Sequence, residues 1–507
     1  MIPPMQRLPE ARRYIDQGDY LVLHAPRQTG KTTALHAFAR ALTAEGVYAA
    51  LHFSCEAAEP AQDDFAEAQR AILSSISLSA NIHLPTELRP PASWPAEPDS
   101  TLLSLGLTAW AQQCPRPLVL FFDEIDALRG ESLRSVLRQL RRGFFDRPHQ
   151  APHAVILCGL RDVRDYKAAS GGDPSRLGTS SPFNIKLASL RLRDFTEGEV
   201  RALYQQHIDR TGQPIDEDAL SRIWELTRGQ PWLTNAIGRE ILEEMSILPP
   251  ARITREHIEQ AKERLILARA THLDSLVARL HEDRVRRILE PVLAGTTSTA
   301  LDTYEDDFQY VVDLGLVAAG PTVEIANPIY REVITRILAS GVERQIPLET
   351  KSFVRPDGHL DMEKMLTEFT RFWVEHGEIL ASAMSYHEVA PQLVLMAFLQ
   401  RIVNGGGYIE REVGVGRGRI DLLVRWPLPD KTGWQREAIE LKVWREGRPD
   451  PLPEGLAQLE GYLTRLGLHH GFLAIFDRRR QAPPLTERTR VEKTRTAGGR
   501  ETVLLRA

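Results

Sequence analysis

Between residues 1 and about 190, short unbroken apolar runs alternate with longer segments of helical spacing. Tyr20-Leu-Val-Leu predicts a buried strand and residues 34–42 a helix. Residues 47–54 read as a second strand and residues 63–78 as a helix. A proline-rich loop at 84–98 and another helix lead to the run Leu118-Val-Leu-Phe-Phe. Ala154-Val-Ile-Leu-Cys158 predicts a fourth strand and residues 183–187 a fifth. Unbroken apolar strands are those covered on both faces, and their alternation with helices predicts an α/β layer fold.

From Arg193 the pattern turns helical. Thr196-Glu-Gly-Glu199 reads as a capping box, and in Gly229-Gln-Pro231-Trp232 the proline suits a helix start. Helices are expected over 272–280 and 283–293, with another after Gly295-Thr-Thr-Ser-Thr. Residues 311–317 and 323–326 flank Ala-Ala-Gly-Pro, a turn signal that predicts a hairpin, and Asn327-Pro328 opens the next helix. A helical connector covers 362–378, and a helix at 386–400 carries Glu388. Strands are expected at 408–413, from Arg419 to Val424, and at 438–443, with a helix at 455–462. The expected divisions are 1–192, 193–250, 251–345, 346–380 and 381–507.

A length of 507 residues exceeds what one core serves and predicts about three domains. The chain is 42% hydrophobic and 26% charged, as globular proteins are, and its net charge of −5 leaves local basic surfaces open. Cys55, Cys114 and Cys158 lack metal-ligand spacing and read as small core residues in a reducing compartment. Met1-Ile-Pro-Pro-Met does not have the pattern of a secretory signal, and no apolar run reaches the ~18 residues of a membrane span. The expected location is cytoplasmic, without membrane contact.

Between the first strand and its helix lies Ala25-Pro26-Arg27-Gln28-Thr29-Gly30-Lys31-Thr32-Thr33. It matches the phosphate-binding pattern G-x-x-x-x-G-K-[ST], with Ala25 in place of the first glycine. Gly30 lets the backbone approach an anion at a helix N-terminus. Lys31, expected to be exposed in the empty loop, reaches the outer phosphates, and the Thr32 hydroxyl is placed for Mg²⁺. A chance turn on a surface helix is the competing reading, and the strand-loop-helix context disfavours it. The third apolar strand ends in Asp123-Glu124, costly carboxylates for a buried strand. Asp123 would hold Mg²⁺ through water, and Glu124 would polarise the attacking water. The two motifs together predict ATP binding and hydrolysis. Arg161 or Arg164, after the fourth strand, would sense the terminal phosphate or else pair with Asp162 and Asp165.

With a strand between the lysine and the Asp-Glu pair, residues 1–192 resemble the AAA-type class of P-loop ATPases. Residues 193–250 look like the helical lid of that class, whose Gly-x-Pro turn, here carrying Pro231, contacts nucleotide in related signalling ATPases. Residues 251–345 resemble a winged helix. Such a module contacts DNA or serves regulation and oligomerisation, and the acidic Tyr304-Glu-Asp-Asp-Phe308 favours the second.

The C-terminal stretch carries a second constellation. On strand 438–443, Glu440 and Lys442 share one face by alternation, and a hairpin brings Asp421 beside them. Two carboxylates at one place repel unless a divalent cation lies between them. The lysine would orient water or stabilise charge developing on a phosphate. Gln458 and Tyr462 share a helix face. A solvent-facing ion pair on a strand is the bland alternative. The set Asp421, Glu440-Leu-Lys442 and Gln458-x-x-x-Tyr462 resembles the PD-(D/E)XK nuclease superfamily, with Ile420 in place of the proline. That resemblance implies a restriction-endonuclease-like α/β domain, makes Glu388 the helix acid, and makes Asp421 and Glu440 ligands of Mg²⁺ or Mn²⁺.

Nearly the whole chain thus looks like the prokaryotic AAA-like ATPases that carry a C-terminal PD-(D/E)XK domain. The resemblance implies a nucleotide-controlled DNA endonuclease associated with mobile elements or defence against foreign DNA. DNA, a second copy of the chain and an effector protein are the implied partners, and the arginine-rich residues 478–507 would suit a phosphate backbone. Two other readings stay open: a nucleotide-driven signalling switch with an inactive nuclease fold, and a winged-helix regulator that reads DNA without cutting it.

Overall fold

The computed structural model describes residues 2–96, 98–160, 188–268, 279, 280, 282–293, 306–318, 323–343, 353–383, 389–403, 406–415, 418–430 and 433–507. The chain forms two compact units. One is Met1–Ala268 with Tyr310–Leu316, and the other is Arg269–Gln309 with Val317–Ala507.

The first unit is built on a sheet of β1 (Tyr20–His24), β2 (Ala49–Ser54), β3 (Leu118–Asp123), β4 (Ala154–Gly159) and β5 (Ala188–Arg191). The order is β2-β3-β4-β1-β5 and every pair is parallel. In space, then, β4 separates the strand before the phosphate loop from the acidic strand. Alternation sorts the apolar residues of β3 onto two faces. Leu118, Leu120 and Phe122 join one buried cluster with Ile72, Ile76 and Trp110. Val119 and Phe121 join another with Leu35, Phe38 and Leu42. Helices α1 (Pro4–Arg7), α2 (Pro9–Asp16) and α3 (Lys31–Ala44) come from the N-terminal stretch, and α2 and α3 cover the second face. Helices α4 (Phe65–His83), α5 (Leu102–Gln113) and α6 (Gly130–Gly143) cover the first. Helix α4 runs five residues past its expected end because Ala80 continues its buried face, and Asp64 caps its start. The expected strand at 183–187 lies outside the described residues; the fifth strand that is seen follows it directly.

After Leu192 the unit is helical. Helix α7 (Glu197–Thr211) opens with the expected capping box, Thr196 with Glu199. Next come α8 (Glu217–Thr227) and α9 (Pro231–Arg239), which has Pro231 in its first turn and Gln230 as its cap. A π-helical turn (Glu240–Glu244) leads on towards α10 (Arg255–Leu267).

The second unit includes α11 (Asp283–Leu293) and both strands of a small hairpin. Residues 311–313 were expected in a strand but end helix α12 (Asp306–Asp313), and β6 is only Val317–Ala318, paired with β7 (Glu324–Ile325). The reason is spacing. Phe308, Val311 and Val312 are all buried at i, i+3 and i+4, a helical period. Gly315, at φ 74°, then turns the chain. Asn327 accepts from the Tyr330 amide and opens α13 (Pro328–Glu343) as expected.

The larger sheet runs β12-β13-β11-β10-β9-β8. Its strands are β8 (Tyr408–Val415), β9 (Gly418–Pro427), β10 (Trp434–Trp444), β11 (His470–Asp477), β12 (Arg490–Arg495) and β13 (Glu501–Arg506). Pairings β10–β11 and β11–β13 are parallel and the others antiparallel. Phe369 and Trp373 of α14 (Met362–Ala383) meet Phe476 at ring distances of 6.4 and 5.4 Å, and Phe398 of α15 (Ala390–Val403) packs on Phe369. Helix α16 (Leu452–Leu466) sets Leu459 and Leu463 against Leu473, Ile475 and Leu504. The arginine-rich C-terminal stretch is therefore part of the sheet. Several of its cations are already paired: Arg490 with Glu492, Arg500 with Glu460 and Arg506 with Asp450.

Candidate functional sites

The phosphate loop joins β1 to α3, and its conformation depends on two left-handed residues, Gln28 (φ 61°) and Gly30 (φ 80°). Thr29 is buried and its hydroxyl donates to the Pro26 carbonyl at 2.9 Å. Lys31 is not exposed as expected. Only 7% of its surface is accessible, because Nζ folds back to donate to the carbonyls of Ala25 (2.8 Å) and Pro26 (2.9 Å). An ammonium at the start of a packed helix finds acceptors in its own loop. Arg27 and Thr33 are exposed, and Ala25 is buried.

Asp123 belongs to the face of β3 that α3 covers, since it follows Val119 and Phe121 in alternation. There its Oδ2 accepts from Thr32 Oγ1 at 2.7 Å and lies 3.0 Å from His52 Nε2. Burial alone would raise the Asp123 pKa, but the hydrogen bonds from His52 and Thr32 outweigh it and hold the group below its ordinary value. A hydroxyl and an ionised carboxylate side by side are hard oxygen donors of the kind Mg²⁺ takes. Asp126, three residues on, adds a buried Oδ1 without a hydrogen-bond partner. Glu124 stands in the left-handed region (φ 54°, ψ 42°), which costs a residue with a Cβ about 1–3 kcal/mol. Desolvation, then Asp126 and Asp123, raise its pKa.

Three features here were not anticipated. His52 stands between Leu51 and Phe53 in the second strand, and an imidazole between two apolar neighbours was a usable signal. Gln230 caps α9 through Leu233 and its Nε2 reaches the Gln28 carbonyl at 3.4 Å, so the start of α9 meets the loop through Gln230, with Pro231 buried beside it. Arg7 donates to the Thr29 carbonyl, a contact that nothing in the local sequence marks. Arg161 and Arg164 lie outside the described residues.

In the second unit, β9 and β10 pair so that Asp421 Oδ2 accepts from the Leu441 amide at 2.7 Å. Glu440 is 2% exposed, its Oε1 lies 2.9 Å from Lys442 Nζ, and its Oε2 is buried without a partner. Desolvation first, and then the charge of Asp421, push the Glu440 carboxyl up to about 8, although Lys442 opposes the rise. Lys442 also donates to Gln458 Oε1, and Glu454 is 3.8 Å away. Gly455 allows this. A Cβ there would stand 2.8 Å from Leu473, so glycine lets α16 approach the sheet closely enough for Gln458 to reach Lys442. Tyr462 is buried with the helix's apolar residues. Asp421, Glu440, Lys442 and Gln458 are therefore brought together, while Glu388 lies outside the described residues. A buried carboxylate oxygen with no donor, beside a second carboxylate, is an arrangement that a divalent cation satisfies.

The family described as AAA domain matches residues 15–166. That span holds β1, the phosphate loop and the Asp123-Glu124 strand end. Residues 15–166 are an AAA-type P-loop ATPase domain. Solved structures similar to the chain include a Walker-type ATPase of Pyrococcus abyssi (15% identity, 65% of this chain and 94% of that one, TM-score 0.46). Others are Cdc6p of Pyrobaculum aerophilum (14%, 66% and 93%, TM-score 0.37) and Thermotoga maritima RuvB, a Holliday junction branch migration motor (16%, 65% and 93%, TM-score 0.34). No curated protein matches. No helix among the described residues is long and apolar enough to cross a membrane.

Proposed function

We propose that the chain binds and hydrolyses ATP, and that its nucleotide state controls a metal-dependent DNA endonuclease within residues 381–507. Its setting would be defence against foreign DNA or the biology of mobile elements. In the ATPase domain, Lys31 exchanges the Ala25 and Pro26 carbonyls for phosphate oxygens. Thr32 and Asp123 would hold Mg²⁺, which supplies charge neutralisation on the phosphates. Glu124, with its raised pKa and fixed left-handed backbone, takes the proton of the attacking water. Glu124→Gln is expected to keep ATP affinity within about threefold and to slow turnover by about 10²–10⁴, the span of general-base catalysis. A single-turnover assay beside a nucleotide titration checks both halves.

One observation carries the nuclease half: the partnerless Glu440 oxygen held beside Asp421, with Lys442 two positions on along the same face. Asp421 and Glu440 would hold the divalent ion, which lowers the pKa of water and neutralises a scissile phosphate. Lys442, oriented by Gln458, stabilises the charge that develops on that phosphate. The test is incubation with plasmid and linear DNA, with Mg²⁺ or Mn²⁺, with and without ATP. Cleavage that needs the metal and changes with ATP supports the reading; no cleavage under any combination overturns it.

The raised Glu440 pKa has a consequence for stability. A carboxyl that is easier to protonate when folded binds more protons in the native state between about 4.5 and about 8. Metal-free protein should therefore lose stability as pH rises through that window, and a divalent cation should return it. Glu440→Gln should remove both the slope and the cation's effect. Melting curves from pH 5 to 8.5, with and without Mg²⁺, give the answer.

A further inference from the structure

Arg7 is 7% exposed, an expensive placement for a guanidinium. Its Nη2 donates to two carbonyls, Thr29 in the phosphate loop (3.2 Å) and Arg193 at the entry to the lid (2.8 Å). Its guanidinium carbon lies 4.7 Å from the centroid of the Phe195 ring, a cation–π distance. A Cβ on Gly30 would meet Nη1 at 3.6 Å, so that nitrogen faces the turn where phosphates enter, and the buried Nε has no hydrogen-bond partner.

The contacts continue from Phe195. Its amide donates to the Gly229 carbonyl at 2.9 Å. Gly229 has φ 77°, and a Cβ there would stand 1.9 Å from the Phe195 carbonyl oxygen, so the two backbones touch. Gln230 then returns to the loop at Gln28. The path Thr29–Arg7–Phe195–Gly229–Gln230–Gln28 is a closed ring that begins and ends in the phosphate loop and runs through the lid. Arg7 is the member of that ring from outside both.

We propose that Arg7 is a positioning residue that clamps the phosphate loop to the lid, so that nucleotide in the loop is felt by the lid helices. This rests on the ATPase reading above. Any shift of the Thr29 or Gly30 backbone towards a bound phosphate moves one acceptor of the guanidinium while Arg193 holds the other. One nitrogen, Nη2, makes both bonds while the flat guanidinium stacks on Phe195. A lysine ammonium, as a point charge, does not reproduce that combination.

The experiment uses the full chain with ATP as the probe and follows hydrogen exchange in residues 197–239. In the wild type, saturating ATP should slow exchange there. Arg7→Ala should weaken ATP affinity about tenfold, the loss of one charge-assisted hydrogen bond. At saturating ATP it should no longer show the slowing. Arg7→Lys should recover part of the affinity and none of the lid response, a split that a merely structural residue would not produce. Arg7→Ala with the wild-type lid response at saturation overturns the clamp. If Arg7→Ala loses its cooperative melt, Phe195→Leu decides: at least a twofold smaller ATP effect on exchange supports the clamp, and an unchanged effect overturns it. A wild-type chain that binds ATP without any lid response also overturns it. A wild type that binds no ATP overturns the ATPase reading itself.

Discussion

Replacing Lys31 by alanine is expected to raise the ATP dissociation constant by about a hundredfold, the equivalent of one or two charge-assisted hydrogen bonds to phosphate. The effect should come with a small cost in stability. Lys31 is buried, and its Nζ donates to the Ala25 and Pro26 carbonyls in the empty loop, so alanine leaves both carbonyls without that donor. Pro26 retains the Thr29 hydroxyl, and the apolar face of α3 (Leu35, Phe38 and Leu42) is untouched. A loss of ~1–2 kcal/mol is expected, with a cooperative melt retained. Nucleotide titration beside a melting curve separates the two effects. Normal affinity in the variant would remove Lys31 from the phosphate site.

Asp421→Ala or Lys442→Ala is expected to lower DNA cleavage by about 10³ or more, the scale on which a single charge-stabilising group acts in a water-poor site. ATP turnover should stay within about twofold, because these residues and the phosphate loop belong to different cores. The variants should differ in one respect. Asp421→Ala removes the repulsion that adds to burial in raising the Glu440 pKa, and should weaken divalent-ion binding measured by titration. Lys442→Ala removes the nearest cation from Glu440 and should leave the ion bound while cleavage fails. Equal cleavage by wild type and Lys442→Ala would end the nuclease assignment for this face.

Much of the ATPase domain was legible because its signals are local. A buried strand on both faces needs an unbroken apolar run, and a phosphate loop needs its glycine, lysine and threonine in adjacent positions. Helix starts at Thr196, Pro231 and Asn327 were readable for the same reason, since a cap acts on amides within three residues. The reading failed where two periods competed. The segment 306–317 has β-branched residues that suit a strand, yet the spacing of Phe308, Val311 and Val312 buries one helical face. Burial outweighed propensity there.

The sequence by itself determined the alternation that builds the first sheet, the phosphate loop and its acidic partner strand, and the placement of Asp421, Glu440, Lys442 and Gln458 on neighbouring elements. Each follows from spacing of 2.0 or 3.6 residues or from a motif a few residues long. Tertiary structure alone decided which strand lies between β1 and β3, that Lys31 folds back on its own loop, and that His52 shares Asp123 with Thr32. It also decided that Arg7 spans Thr29 and Arg193, 186 positions from the second of them. These depend on hydrogen-bond partners far apart in the chain. A donor's sequence neighbourhood carries no mark of a distant carbonyl, and a buried donor takes whichever acceptor the packed fold presents.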